Sequence, residues 1–425
     1  MSRAEALLFP DNLAALATAR ELGRAGIRVS VLGAKPGPGA YSRHSHFVRT
    51  PDLYTSPEAI VDAIVDFADE RTKASGGETP VLMPTEDAAL LVVERFHERL
   101  SGHVKLPFPA PGIVEKIVDK RSLHRAAEAA GIATPSLVEL SETDPGGDCA
   151  AVAVEGDWLA KPPCRYCIEP DNSRVRTFLQ ATGGAKAVAG DLRAAVALVR
   201  RAGFSPILQE QVPGPFHELV SVGIAIDRNG DIKASFNARK RCEYPEPFGD
   251  GLIVEVIDDP GITEQAAHLL REIGYWGICD LEFKRDDRDG RFKLLDANPR
   301  VWLWHGLGAQ VNSPIALCAY ALATGEGDVE DSPYQVVGSA RPNHRHPVWV
   351  SPRGAAAFMA SAYNPVRHGP FLPILLTAGA LGTMLKQLLA FQDPLYRRPS
   401  AWRDICFAVL RRAHLLPTRS PAESS

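Results

Sequence analysis

The sequence lacks most of the signatures that would place it in a class at once. After its first apolar run, ALLF at 6–9, stands Phe9-Pro10-Asp11-Asn12 and not G-x-G-x-x-G, and Gly37 and Gly39 after the second run have no third glycine. A dehydrogenase reading thereby loses its main support. No G-x-x-x-x-G-K-[ST] occurs, which excludes a P-loop nucleotidase as far as sequence can. His217-Glu218 does not open a zincin motif, because Ser221 stands where the second histidine belongs. Neither sign of charge is in excess: 47 Lys and Arg face 51 Asp and Glu, a net charge of −4, so nothing points to nucleic acid as a partner. There is no internal repeat and no low-complexity tract.

Long apolar runs are missing too. MSRAEALLFPDN lacks the apolar core of a signal peptide, and FLPILLTAGALGTML at 371–385 is too short to span a membrane before Lys386 interrupts it. Seven cysteines, an odd number, suit a reducing cytoplasm better than a disulfide framework. Cys164 and Cys167 form a lone C-x-x-C, and Pro163 before them completes half of the zinc-deaminase signature. The upstream H-x-E and a second cysteine pair are absent, so incidental thiols are favoured over a metal or redox role by roughly five to one.

What is present alternates between apolar runs and helical patterns. The run at 6–9, a helix-like 12–26 and a second run at 27–32 open a βαβ unit with a parallel sheet. A helix near 57–70, a strand at 81–83 and a helix at 86–100 continue the pattern. Residues 116–140 contain a helix ended by Gly131 and then a proline-marked strand. Residues 163–183 are polar and irregular, and a helix at 191–203 leads to the strand-like PILQEQVPG at 206–214. Strands at 220–227 and 231–237 flank Asn229-Gly230, a strong hairpin turn. Residues 307–330 read as a closing helix, 331–365 as linker with surface His344 and His346, and 401–413 as a basic amphipathic helix with Arg403, Arg411 and Arg412. Packing against the rest of the chain is that helix's default, and contact with an anionic membrane surface is the minority option.

The most informative stretch is 276–306, which reads as a β-hairpin with strands at 277–285 and 291–297 and a turn over 286–290. Period-two alternation places Phe292, Leu294, Asp296 and Asn298 on one face, with Glu282 turned away from Leu281 and Phe283. Pro299 holds Asn298 extended and keeps Arg300 near that polar row. Two carboxylates, an amide and a guanidinium meet there, and a hard divalent cation takes such oxygen donors together with nucleotide phosphates. Asp296 and Asn298 as plain turn residues would hold roughly even odds if the hairpin stood alone. A calcium loop is rejected, because Arg285 holds its first ligand position and strands flank it.

The phrase E-F…(x₁₂)…D-x-N-P-R at 282–300 resembles the metal-binding end of the ATP-grasp superfamily, which includes D-alanine–D-alanine ligase, biotin carboxylase and the carbamoyl-phosphate synthases. The resemblance implies that Glu282, Asp296 and Asn298 hold Mg²⁺, or Mn²⁺ in its place, and that Arg300 faces the reacting anion. The commoner form has Glu where this chain has Asp296. D-K…(x₁₀)-G-I-x-x-P at 119–135 resembles the opening of the grasp fold and assigns Lys120 to the nucleotide phosphates; as a bare residue it is a solvated helix lysine. WLAKP at 158–162 assigns Lys161 likewise, and Gly183-Gly184-Ala185-Lys186 resembles the loop over ATP, with Lys186 as a third contact. The backbone of Glu210, Gln211 and Val212 would read the adenine edge. Glu218 would bind the ribose, although two extra residues precede it relative to D-alanine–D-alanine ligase. Arg239-Lys240-Arg241, otherwise a solvated strand end, would approach the γ-phosphate or the substrate carboxylate, with Arg239 and Lys240 as catalytic candidates. Ser42-Arg43 and Pro84-Thr85-Glu86-Asp87 would lie at strand ends facing the active site; loop polarity and a helix N-cap at Thr85 explain them equally well.

These motifs occur in order over roughly the first three quarters of the chain. The expected fold is α/β: a Rossmann-like domain over 1–115, an ATP-grasp domain over 116–330 with lobes at 116–205 and 206–330, and an extension over 331–425. The phrase before the hairpin resembles ATP-grasp carboligases related to D-aspartate ligase, which implies a carboxylate–amine ligase. Its expected partners are a small carboxylate and an amine, with a homo-oligomer left open. Two rivals stand beside it: a bicarbonate-using ATP-grasp carboxylase, and a non-catalytic ATP-binding regulatory protein.

Overall fold

The computed structural model describes residues 3–109, 111–140, 157–164, 173–183, 187–244, 248–325 and 348–351. The C-terminal helix expected at 401–413, the apolar stretch at 371–385, His344, His346, Cys167 and Lys186 lie outside these described residues.

The chain begins with β1 (Ala6–Phe9), α1 (Leu13–Arg24), β2 (Val29–Gly33), β3 (Ser45–Arg49), α2 (Pro57–Ser75), β4 (Val81–Pro84) and α3 (Asp87–Arg95). The four strands form a parallel sheet in the order β3-β2-β1-β4. β1, β2 and β4 are buried throughout, which is why their sequences are apolar but for Ser30, whose hydroxyl donates to Glu5 at 2.6 Å. Asn12 caps α1 by accepting the Ala15 N–H at 3.0 Å. Thr85 is not the cap of α3: its hydroxyl donates to the Pro10 carbonyl at 2.6 Å, and Glu86 takes the cap position. The helix expected over 86–100 breaks at Phe96 into α3 and a short α4 (His97–Leu100). The edge strand β3, half-buried and without a clean apolar run, gave no sequence signal.

Then follow α5 (Ile113–Val118), α6 (Lys120–Ala129), β5 (Leu137–Glu139), β6 (Trp158–Lys161), α7 (Ser173–Ala181), α8 (Leu192–Arg201) and β7 (Ile207–Glu210). The strands form a small antiparallel sheet, β5-β7-β6, whose core is Phe178, Val196, Val199, Ala160 and Leu208. α7 falls in the stretch expected to be irregular: Phe178 anchors it, edge-on to Phe204 at 6.3 Å.

The last described elements are β8 (Leu219–Ile226), β9 (Ile232–Tyr244), β10 (Asp250–Ile257), α9 (Pro260–Ile273), β11 (Gly277–Arg285), β12 (Phe292–Asn298), α10 (Ile315–Thr324) and β13 (Val348–Val350). They build a six-stranded antiparallel sheet in the order β12-β11-β8-β9-β10-β13. One face, with Val220, Val222, Ile224, Leu281 and Phe283, packs on α9 through Ile262, Ala266, Leu269 and Leu270. The other carries Phe236 and Ala238 and meets Trp302, Trp304 and α10. β9 runs well past the expected end at Asn237, because β10 pairs with it from Asn237 to Tyr244. The expected closing helix of 307–330 is a 3₁₀ turn at 305–311 followed by α10. Among the described residues no helix is long and apolar enough to cross a membrane.

Candidate active site

The site begins with the register of β11 and β12. Glu282 lies opposite Asp296, and Asp280 opposite Asn298. Phe283 pairs with Leu294, so Leu295 is an extra residue and forms a bulge. The bulge inverts the side-chain alternation. Leu294 and Ala297 therefore both enter the core with Leu281 and Phe283, and Asp296 and Asn298 turn to the opposite face with Glu282 and Asp280. The single face expected for Phe292, Leu294, Asp296 and Asn298 is corrected accordingly: simple period-two counting fails across an inserted residue.

Two lysines already engage the carboxylates. Asp119 caps α6 through the Arg121 and Ser122 N–H groups, which makes Lys120 the first residue of the helix. Its Nζ donates to Asp296 at 2.7 Å. Burial pulls the Lys120 ammonium down, but the Asp296 charge outweighs it and leaves the pKa above its ordinary value of 10.5. On β9, Lys240 is 2 % exposed and its Nζ lies 2.9 Å from Glu282 and 5.4 Å from the Trp304 ring centroid. Lys161, at the end of β6, is buried and has no ion-pair partner among the described residues. Burial, with Lys120 nearby, pushes its pKa down to about 7, and Asp296 and Glu282 hold it up only in part.

Arg239 is separated from Lys240 by the same strand alternation. It donates to Glu255 on β10 at 3.2 Å, and Arg241 reaches that carboxylate at 3.4 Å. The three successive cations thus split between two faces, and Lys240 alone joins Glu282.

Arg300 reaches across to the parallel sheet. Its Nη2 donates to Asn298 Oδ1 at 3.2 Å, its Nη1 to the Val301 carbonyl at 3.0 Å, and its Nε to Asp87 at the start of α3. Next to Asp87, Glu86 accepts from the Tyr54 hydroxyl and interacts with the Asn12 amide. Asp280, 1 % exposed, accepts from Asn298 Nδ2 at 3.3 Å, and its Oδ1 has no hydrogen-bond partner among the described residues. That bond sets the Asn298 amide with its oxygen toward Arg300. Burial and the Glu282 charge push the Asp280 carboxyl up to about 7, against the pull of Lys240 and Arg300. Sequence reasoning missed Asp280, although its place two residues before Glu282 was a usable signal.

The strand end at 210–212 joins the small and the six-stranded sheet. Glu210 accepts from the Ser136 N–H at 3.0 Å and pairs with Arg288 of the β11–β12 turn at 2.5 Å. Its own N–H donates to the Ser136 carbonyl at 2.9 Å, and the Gln211 N–H donates to Asp157 at 2.8 Å. The Val212 carbonyl accepts from Lys284 Nζ at 2.8 Å. Several of the groups expected to read adenine are thus already bonded. Glu218 ends a 3₁₀ turn at 216–218, half-buried and 3.8 Å from His217.

The donor set suits a hard cation: two carboxylates face each other across one strand pair, an amide oxygen follows, and phosphates or water can complete the shell. Among the described residues no group of three His, Cys, Asp or Glu side chains is arranged to hold a metal.

No family model matches the chain. A D-aspartate ligase of Enterococcus faecium is 21 % identical over 273 residues, 62 % of each protein, so the chain spans about three fifths of that relative's length. An L-amino acid ligase from Bacillus licheniformis superposes with a TM-score of 0.55 at 15 % identity, covering 76 % of this chain and 75 % of the other. A biotin carboxylase from Campylobacter jejuni, solved in complex with β,γ-ATP, gives 0.56 at 16 % identity over 76 % and 71 %. The chain has the ATP-grasp fold, in the α/β arrangement expected from its motifs.

Proposed function

We propose that the protein is an ATP-dependent ligase that activates a carboxylate as an acyl phosphate and passes the acyl group to an amine, releasing ADP and phosphate. The observation that carries this reading is the convergence of Lys120, Lys161 and Lys240 on Glu282 and Asp296, with buried Lys161 having no ion-pair partner of its own among the described residues. A buried, unpaired lysine beside two paired ones is a site awaiting anionic oxygen. Similarity to a D-aspartate ligase and an L-amino acid ligase supports the same direction.

A free carboxylate is a poor electrophile, because its leaving group would be oxide; phosphorylation replaces oxide by phosphate. Most of the work is then positioning and charge stabilisation. Lys120 and Lys161 would bind the nucleotide phosphates, and Lys240 and Arg300 would face the transferred phosphoryl and acyl oxygens. The Val212 N–H and neighbouring backbone would receive adenine, and Glu218 the ribose. Glu282, Asp296 and Asn298 would hold Mg²⁺, which supplies charge neutralisation across the phosphates. Arg239, on the far face, would steady Glu255 instead of touching substrate. The domain limits at 115, 205 and 330 remain part of this proposal.

The test is ADP release from Mg-ATP against pools of amino acids and small carboxylic acids, singly and in pairs, with Asp296→Ala as control. Release that needs both an acid and an amine, yields an amide mass and vanishes in the variant is the expected outcome. Release with bicarbonate alone would replace this reading by a carboxylase. Tight ATP binding without turnover in any pool would favour a non-catalytic role.

A further inference from the structure

Resting on that ligase reading, we infer that the crevice between Arg300 and the start of α3 is the subsite for the amine substrate, bound as its ammonium by Glu86 and Asp87. The topology of the parallel sheet defines the place. From β1 the chain steps outward to β2 and β3, whereas β4 lies on the other side of β1. Such a reversal opens a crevice at the carboxyl ends of the two strands, where open α/β sheets bind their ligands. Asn12 follows β1 there, and Thr85, Glu86 and Asp87 follow β4.

Asn12 and Thr85 serve local structure there, capping α1 and bonding the Pro10 carbonyl, whereas the two carboxylates do not. Glu86 stands at the cap of α3 without making a capping hydrogen bond, and is turned to Tyr54 and Asn12. Asp87 is turned to Arg300. Two carboxylates therefore face one guanidinium, which pairs with Asp87, and among the described residues Glu86 makes no ion pair of its own. Burial raises the Glu86 pKa, while Tyr54 and Arg300 favour its charged form and Asp87 opposes it. The surplus is negative, so the crevice favours a cation and repels a second carboxylate. Arg300 bonds Asn298 on one side and Asp87 on the other, so this crevice adjoins the cation-binding end of the hairpin. An ammonium held at Glu86 and Asp87 would thus sit beside the place where the acyl phosphate forms.

Hydroxylamine, uncharged at neutral pH, separates this subsite from acyl activation. The protein is incubated with Mg-ATP and each acid of a panel (the common amino acids and small carboxylic acids). Hydroxamate formation is compared with amide formation to each amino acid of the same panel. In Glu86→Gln the amide-to-hydroxamate ratio is expected to fall at least about tenfold through a raised KM for the amine, the scale of one lost charged hydrogen bond. Glu86→Asp should restore part of it. An unchanged ratio in a folded Glu86→Gln, or loss of both products in proportion, would overturn the subsite and leave the ligase intact. A wild type that forms no hydroxamate with any acid overturns the ligase reading, and the amine subsite with it.

Discussion

Lys161 should make nucleotide binding a proton-uptake reaction. Its pKa is pushed down to about 7 by burial and by Lys120, so at pH 7 about half of the molecules carry it uncharged. Phosphate oxygens would favour the ammonium, so binding restores a proton to the neutral fraction. If the complex holds it fully charged, apparent affinity weakens by a factor 1 + 10^(pH − pKa): ~1.1 at pH 6, ~2 at pH 7 and ~11 at pH 8, approaching ~1.4 kcal/mol per pH unit above that. Stability of the unliganded protein moves the other way. The unfolded chain keeps the proton up to the ordinary 10.5 and the folded chain sheds it from about 7, so the fold gains stability as pH rises across that window. Titration calorimetry with saturating Mg²⁺ in buffers of different ionisation enthalpy reads the proton directly. Lys161→Met serves as the baseline for protons belonging to the nucleotide. Uptake approaching one proton at pH 8, absent in the variant, is expected. Flat affinity between pH 6.5 and 8.5 with no buffer dependence would refute the argument that Lys161 awaits an anion.

The remaining predictions concern neighbouring residues. Lys240→Met should lower turnover by at least about 100-fold, whereas Arg239→Ala, on the opposite face, should stay within about threefold; steady-state ADP release compares them. Asp296→Ala should abolish turnover and cost about 1–3 kcal/mol in urea unfolding, because it leaves the Lys120 ammonium buried without its partner. Arg288→Ala should raise the KM for ATP about threefold with little change in urea midpoint, since it frees Glu210 at the strand end but the arginine itself is half exposed.

The sequence by itself determined the elements whose chemistry is local. Apolar runs set β1, β2 and β4, because both faces of that sheet are covered. The first helical pattern opened at Asn12, which caps α1, Gly131 marked the end of the helix before the proline-marked strand, and the hairpin around Asp286–Gly290 announced itself by turn residues. The motif order brought Lys120, Lys161, Glu282, Asp296, Asn298 and Arg300 forward as one candidate set. Tertiary structure decided what depends on neighbours distant in sequence. β3 and β10 are strands because partners pair with them, and α7 is a helix because Phe178 finds a pocket. The bulge at Leu295 decided which face Asp296 shares, since one extra residue inverts every side chain beyond it. The pairing of β9 with both neighbours separated Arg239 from Lys240, and the approach of two sheets joined Arg300 to Asp87 across 213 residues. A sequence pattern records periodicity along one strand; which charges meet across strands is fixed only when the register and the packing of the sheets are.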